Sequence, residues 1–422
     1  MKPILPLLFA MLVAAVPVHQ ADASSKNTAP TATKAKAAKA KPGKAKAAKT
    51  AKAAKPAKTQ TKGKSAKAGA ARHAVKKTLP PAQAERLVAA RPSIDYEGEQ
   101  VNFSEWRAVQ EFADEMVTEN GFDREEMAGI VRELRYIDSA VQLVKPAPPG
   151  KPKNWQAYSA RFIEPIRINA GVRFWNENSE ALARAEATYG VPAETIVGII
   201  GIETIYGRDT GRFRVMDVLT TLAFAYPDTP NKAARMAFFR IELKNTLLFA
   251  RQNKMDPFSL LGSFAGAVGM PQFMPGSILR YGVDFDGDGK VDLRNSATDA
   301  IGSVANFLIQ HGWNRAARGP AAYPVDVSPS RAWEGMLERG LSAHYRPDEL
   351  AAAGVTAHVA LPGERLYGLV DLQNGAEPTE YWAANDNFFA ITMYNRSYFY
   401  AMSVVELGRA VEAARIVQRE SL

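Results

Sequence analysis

Over most of the chain the apolar positions recur with a helical period. "FSEWRAVQEFADEMVTEN" sets Trp106, Val109, Phe112 and Met116 on one stripe, and Gly121 follows as a stop. "RFWNENSEALARAEATYG" carries the same kind of pattern up to Gly190. "MAFFRIELKNTLLFARQN" and "ATDAIGSVANFLIQHGW" predict two more amphipathic helices, and "YFYAMSVVELGRAVEAARIV" a long one near the C-terminal end. Strand-like segments are few and late: "HVALPG", "GLVDLQ" and "NFFAITMY". The pattern predicts an α+β fold, mainly helical with a small β element, and no internal repeat of fixed period.

One predicted helix carries a carboxylate where an apolar residue belongs. In "GVPAETIVGIIGIETIYGRDTGRF", Pro192 suits a first helical position. Ile196, Ile199, Ile200 and Glu203 then follow at i, i+3, i+4 and i+7, which puts Glu203 on the buried stripe. A carboxyl in apolar surroundings resists ionisation, keeps its proton near neutral pH and can hand it to a leaving glycosidic oxygen. A structural Glu bonded to nearby backbone is the plainer alternative. Glu194, in the first turn, suits the helix dipole. Tyr206, Gly207 and Gly211 would let the chain turn sharply and bring backbone near a bound sugar. Sugar hydrolases usually use two carboxylates. Asp209 and Asp217 are the nearest in sequence, but no pattern sets either beside Glu203, and Asp217 reads as a helix cap. A mechanism with one carboxylate, the substrate supplying the second role, is the chemical consequence.

A second acidic cluster has a different spacing. In "DFDGDGKVDLRN" (284–295), Asp284, Asp286 and Asp288 take loop positions 1, 3 and 5, Gly289 position 6, the Lys290 carbonyl position 7 and Asp292 position 9. That is an EF-hand-like pattern of oxygen ligands for calcium in a structural role. Asn295 stands at position 12 in place of the usual Glu, which predicts weaker binding.

Charge is distributed unevenly. The chain has 422 residues and a formal charge of +9, yet residues 24–80 hold 16 Lys, one Arg and no acid, a local +17. Met1 to Ala23 is neutral overall, so the folded part from residue 81 is net −8. The 24–80 segment repeats Lys, Ala and Pro and cannot bury enough apolar surface to order itself. Residues 1–23 read as an export signal: Lys2, an apolar run from Ile4 to Val18, then Ala21-Asp22-Ala23 before a cleavage point at Ser24. The run is short for a membrane span. The expected organisation is a signal at 1–23, a disordered basic segment at 24–80 and a catalytic part at 81–422. The expected location is the periplasm. With no Cys, disulfides, thiol nucleophiles and a lipid-modified anchor are all excluded. Export also disfavours nucleic acid as the partner of the basic segment. Anionic envelope polymers or lipid headgroups suit it better, or it is a plain tether.

Five segments in order resemble one known family: "GIETIYGRDTGRFRVMDVLTTLAFAYP", "GSFAGAVGMPQFMPGS", "YGVDFDGDGKVDL", "DAIGSVANFLIQHGW" and "MYNRSYFYAMSVVELGRAV". Between about Tyr158 and Arg415 the chain looks like the lytic murein transglycosylase B family. The resemblance implies a lysozyme-like core with a deep glycan groove and no organic cofactor. It implies cleavage of the β-1,4 bond between N-acetylmuramic acid and N-acetylglucosamine in peptidoglycan, without water, leaving a 1,6-anhydro end. Glu203 matches the family's single catalytic acid and base. Ser263 and Gln272 match polar groups beside it, Tyr158 a groove tyrosine, and Tyr394, Asn395 and Tyr400 a wall of the cleft. Phe307 stands where the family carries a groove tyrosine. Asp228 and Thr229 replace basic residues after "YP", with Lys232 and Arg235 further on. The chain is expected to act as a monomer. A water-using muramidase and a non-catalytic envelope-binding protein are the alternative functions.

Overall fold

Polar caps and left-handed glycines set the ends of the helices in the computed structural model, which describes residues 103–146 and 152–420. The predicted export signal and basic segment lie outside them. Helix α1 (Arg107–Asn120) stops at Gly121, whose φ of 65° turns its N–H back to the Met116 carbonyl. Val109, Phe112 and Met116 are buried as the stripe predicts, and Trp106 is half-buried at the cap. Asp123 starts α2 (Arg124–Glu133) by accepting the N–H groups of Glu125 and Glu126. Helices α3 (Asp138–Leu143) and α4 (Trp155–Ser159) are short. The pattern around "RFWNENSEALARAEATYG" is two helices, not one. Helix α5 (Pro165–Glu177) ends at Asn178, whose side-chain amide donates to the Phe174 carbonyl, and α6 (Ser179–Tyr189) restarts there and runs to Gly190.

Helix α7 (Ala193–Thr204) holds Glu203, and Pro192 is its cap rather than its first residue. From Thr195 to Thr204 every side chain or backbone position is buried, so α7 is a core helix enclosed all round, not an amphipathic one. Helices α8 (Val215–Phe224) and α9 (Lys232–Gln252) pack on each other. Helix α10 (Pro275–Tyr281) and α11 (Ala297–Gln310) follow, the latter capped by Ser296. Helix α12 (Pro347–Ala352) lies among the strands. "NFFAITMY", read as a strand, is helix α13 (Asp386–Thr392). Its aromatic and β-branched residues suit a strand by propensity, but Asn385 caps the Asn387 N–H and all residues from Asn387 to Thr392 are buried, so packing overrides propensity.

The last helix, α14 (Tyr398–Glu420), runs antiparallel along α7. Two glycines let the backbones touch: a Cβ on Gly198 would overlap the Val404 carbonyl oxygen, and one on Gly408 would overlap that of Glu194. Continuing along this line, α14 brings Tyr400 to Glu203.

Strands β1 (Phe213–Arg214) and β2 (Leu261–Gly262) form a two-residue ribbon, Phe213 opposite Gly262 and Arg214 opposite Leu261. The larger sheet is antiparallel, in the order β4 (Val355–Ala357), β3 (Ala322–Val327), β6 (Glu377–Ala384), β5 (Gly368–Asn374). "GLVDLQ" is in β5 as predicted, "HVALPG" falls just past β4, and β3 and β6 were not anticipated. The sheet has a small core of its own, including Tyr323, Trp333, Tyr367 and Leu369, beside the main helical core. All described residues fall in one compact unit, and the predicted mainly helical α+β arrangement holds.

Candidate active site

Glu203 sits in the last turn of α7 with 7 % of its surface exposed. Among the described residues its carboxylate has one hydrogen-bond partner, the Tyr400 hydroxyl, which donates at 2.6 Å. No described cation is placed against it. Burial pushes the Glu203 carboxyl up to about 7, and the Tyr400 hydrogen bond pulls the other way. Near neutral pH the group is therefore divided between acid and base, the condition under which one residue serves as both.

The surrounding tyrosines are tuned by the same burial. Tyr400 and Tyr394 are stacked at 6.3 Å, and burial, with the Glu203 charge added, holds both phenols well above their usual range. They stay protonated and donate. Tyr394 donates to the Pro271 carbonyl at 2.8 Å. Tyr158 is half-buried, pushed up to about 12 mainly by burial and raised further by Glu203, with the Arg161 guanidinium 4.5 Å over its ring. Tyr400 departs from the expectation of an open cleft wall. At 1 % exposure it lies beneath Glu203 and holds its carboxylate.

The segment from Ser263 to Gln272 folds as a tight loop against the exit of α7. The Ser263 hydroxyl accepts the Ala267 N–H at 3.0 Å. Gln272 has a positive φ of 51° and its amide N–H2 donates to the carbonyls of Gly269 and Thr210, at 2.8 and 3.3 Å. Its buried carbonyl oxygen has no partner among the described residues. Asn395 is buried next to Tyr394. Ile205 and Tyr206, just after the helix, also have positive φ (51° and 58°), so strained backbone gathers on this turn. Phe307 stacks on His311 at 3.9 Å and packs on Tyr394 at 4.7 Å, a ring without a hydroxyl on the loop side.

The two other carboxylates weighed in the sequence are elsewhere. Asp209 is exposed on the turn. Asp217 is fully buried, but its carboxylate accepts from Arg214 at 2.6 and 3.0 Å and from the Arg135 N–H at 3.0 Å. It is a tether between α8 and the chain after α2, not a cap and not a partner of Glu203.

In the acidic loop the geometry selects among the predicted ligands. Carboxylate oxygens of Asp284, Asp286 and Asp299 lie within 4.8 Å of one another. Asp299 was missed because it stands in the first turn of α11, beyond the loop spacing. The signal was Ser296-x-x-Asp299, a helix start next to a metal-like loop. Asp284 accepts three backbone N–H groups, from Gly287, Asp288 and Gly289. Asp299 accepts those of Phe285, Asp286 and Asp292, which oppose the rise that burial imposes on it. Asp288 and Asp292 lie outside that cluster; Asp288 accepts the N–H of Lys290 and Asp292 those of Arg294 and Asn295. The Asn295 amide also donates to Asp292, so its side-chain N–H2 is turned inward on the loop. Three converging carboxylates on a preformed turn fit a hard divalent cation.

A separate cavity of ≈ 320 Å³ opens beside the sheet, lined by residues such as Trp333, Tyr381, Asp371 and Lys153. None of the predicted site residues lines it. No described helix is long and apolar enough to cross a membrane.

Known proteins resemble this chain over most of its length. The family described as "Transglycosylase SLT domain" matches residues 103–409. Membrane-bound lytic murein transglycosylase B of Escherichia coli (strain K12) is 42 % identical over 317 residues, covering 73 % of this chain and 83 % of that one. The crystal structure of soluble lytic transglycosylase SltB1 from Pseudomonas aeruginosa superposes with a TM-score of 0.66 at 43 % identity, covering 73 % of this chain and 99 % of that one. The Escherichia coli lytic transglycosylase Slt35 in complex with calcium gives 0.66 at 40 % identity, covering 75 % and 97 %.

Proposed function

This chain belongs to the transglycosylase SLT-domain family of lytic murein transglycosylases, and from that premise we propose that it cleaves peptidoglycan glycan strands without water, with Glu203 as acid and then base. The observation that carries the proposal is the lone buried carboxyl of Glu203, near neutral in its proton affinity and held by Tyr400. In the first step Glu203 gives its proton to the leaving N-acetylglucosamine oxygen as the bond to C1 of N-acetylmuramic acid breaks. In the second the carboxylate takes the proton of the muramic 6-hydroxyl, whose oxygen bonds to C1 and closes the 1,6-anhydro ring. Glu203 ends protonated and no water is consumed.

The remaining residues have supporting roles in this reading. Tyr400 orients the carboxylate. Ser263, Gln272 and Asn395 offer polar atoms to sugar hydroxyl and acetamido groups, and Tyr158 and Tyr394 offer ring faces. Calcium held by Asp284, Asp286 and Asp299 would stabilise the fold. The calcium complex of Slt35 supports this assignment. Residues 81–422 form the catalytic part. Residues 1–23 direct export to the periplasm, and the +17 segment at 24–80 tethers the enzyme to anionic envelope polymers or headgroups.

Mass spectrometry of sacculi treated with the protein, beside Glu203→Gln, tests the reaction. Products one water lighter than hydrolysis products, absent with the variant, are expected. Hydrated reducing ends would make the enzyme a muramidase.

A further inference from the structure

The 284–295 loop does more than lie near the site; two of its consecutive residues bond directly to the segments that carry Glu203 and Gln272. The Arg294 guanidinium donates to the Gly211 carbonyl through both terminal nitrogens, at 3.1 Å each, and to the Leu261 carbonyl at 3.2 Å. Gly211 closes the turn that leaves α7 after Glu203. Leu261 begins β2, two residues before Ser263. These two segments touch backbone to backbone, because a Cβ on Gly211 would overlap the Gly262 carbonyl. Arg294 therefore fastens the chain that exits the catalytic helix to the chain that enters the Ser263–Gln272 loop.

The neighbouring residue makes a parallel link. The Leu293 carbonyl accepts the Met270 N–H at 2.7 Å. The Met270 carbonyl accepts the Thr204 hydroxyl at 2.9 Å, and that hydroxyl accepts the Gly207 N–H at 3.0 Å. Thr204 is the residue after Glu203. Gly269 permits no side chain here, since a Cβ would overlap the Leu293 carbonyl oxygen. On the loop's own side, Asp292 accepts the Arg294 N–H, and Asp299 holds the Asp292 N–H. An unbroken set of hydrogen bonds thus runs from the acidic cluster to the turn after Glu203 and to the segment that enters the Ser263–Gln272 loop.

We propose that Arg294 is a positioning residue for the reaction: the acidic loop sets the spacing between Glu203 and Gln272 through Arg294, with the Leu293–Met270–Thr204 link beside it. This rests on Glu203 and Gln272 being the acid/base and a substrate contact. A fixed spacing matters because chemistry of this kind is lost steeply with small displacements: a 1 Å misplacement costs on the order of 100-fold. A rigid, hydrogen-bonded back wall prevents that displacement without touching the sugar.

The test is steady-state kinetics on soluble glycan fragments for Arg294→Met and Arg294→Lys, below the melting temperature of each. Met keeps the bulk and removes every donor; Lys restores a cationic donor. Arg294→Met is expected to lower kcat by about 10- to 100-fold with KM within about twofold. Arg294→Lys is expected to recover a substantial part of kcat. Wild-type kcat in Arg294→Met overturns the proposal, and so does a Lys variant no better than Met at equal folded fraction. If Arg294→Met does not fold, Thr204→Val, nearly isosteric, cuts the parallel link and is held to the same kinetic criterion. Absence of turnover in the wild-type protein would strike the underlying functional reading instead, which separates the two failures.

Discussion

Two buried carboxylates stand at either end of the turn between α7 and α8, and they behave oppositely. Glu203 and Asp217 are both shielded from water. Asp217 has the Arg214 guanidinium and a backbone N–H against it; Glu203 has a neutral phenol. Burial alone penalises the charge in both places. A cation offsets that penalty at Asp217 and makes it part of the scaffold. At Glu203 the penalty remains, and it is what keeps a proton available at neutral pH. The difference between a paired carboxylate and a proton-holding one here is the partner, not the depth.

The sharpest way to break this comparison is to neutralise each carboxylate in turn. Glu203→Gln should lower turnover by about 10³-fold or more while the fold survives. Asp217→Asn should leave turnover per folded molecule nearly unchanged but cost about 3 kcal/mol of stability, because Arg214 loses its closest anion. Denaturant titration and kinetics on the same samples check both. A Glu203→Gln protein that is inactive because it unfolds would erase the distinction. Glu203 should also make stability depend on pH. Since Glu203 has a raised pKa, its contribution to stability is full below pH 4.5 and is lost as pH rises through about 7. Glu203→Gln should therefore gain melting temperature over wild type at pH 8 and little at pH 4.

A smaller effect is expected from Tyr400→Phe. The Tyr400 hydrogen bond lowers the Glu203 pKa, so its loss should move the alkaline limb of the activity profile to higher pH. We expect kcat to fall by about tenfold as the carboxyl loses its orientation. A limb that moved to lower pH would show that Tyr400 does not stabilise the ionised form. The smallest effect concerns the acidic loop. Added calcium should raise the melting temperature by a few degrees, and Asp299→Asn should remove most of that gain. Asp288→Asn should remove less, because Asp288 lies outside the cluster of Asp284, Asp286 and Asp299. Equal losses would return the ligand set to the linear loop pattern.

The contrast also explains what could be read in the sequence. Glu203 was legible because a carboxylate breaks an apolar pattern, and that holds whether the helix is striped or enclosed. The caps at Gly121 and Gly190 were legible because they depend on a single residue's conformation. The break at Asn178 was not, since one side chain ends α5 without disturbing the apolar period. Helix α13 was misread because burial on every side erases periodicity. The deep placement of Tyr400 and the part played by Asp299 depend on packing between distant segments, which no local spacing records.

The antiparallel contact of α7 with α14 has a consequence in time as well as in space. Glu203 meets its hydroxyl partner across 197 positions of chain. A nascent protein has made α7 long before the helix that supplies the Glu203 partner. Until the glycine-paired backbones of Gly198 and Gly408 close on their neighbours, the carboxyl has no assigned direction. A chain cut before α14 is therefore expected to lack both the hydroxyl that holds Glu203 and the helix that packs on α7.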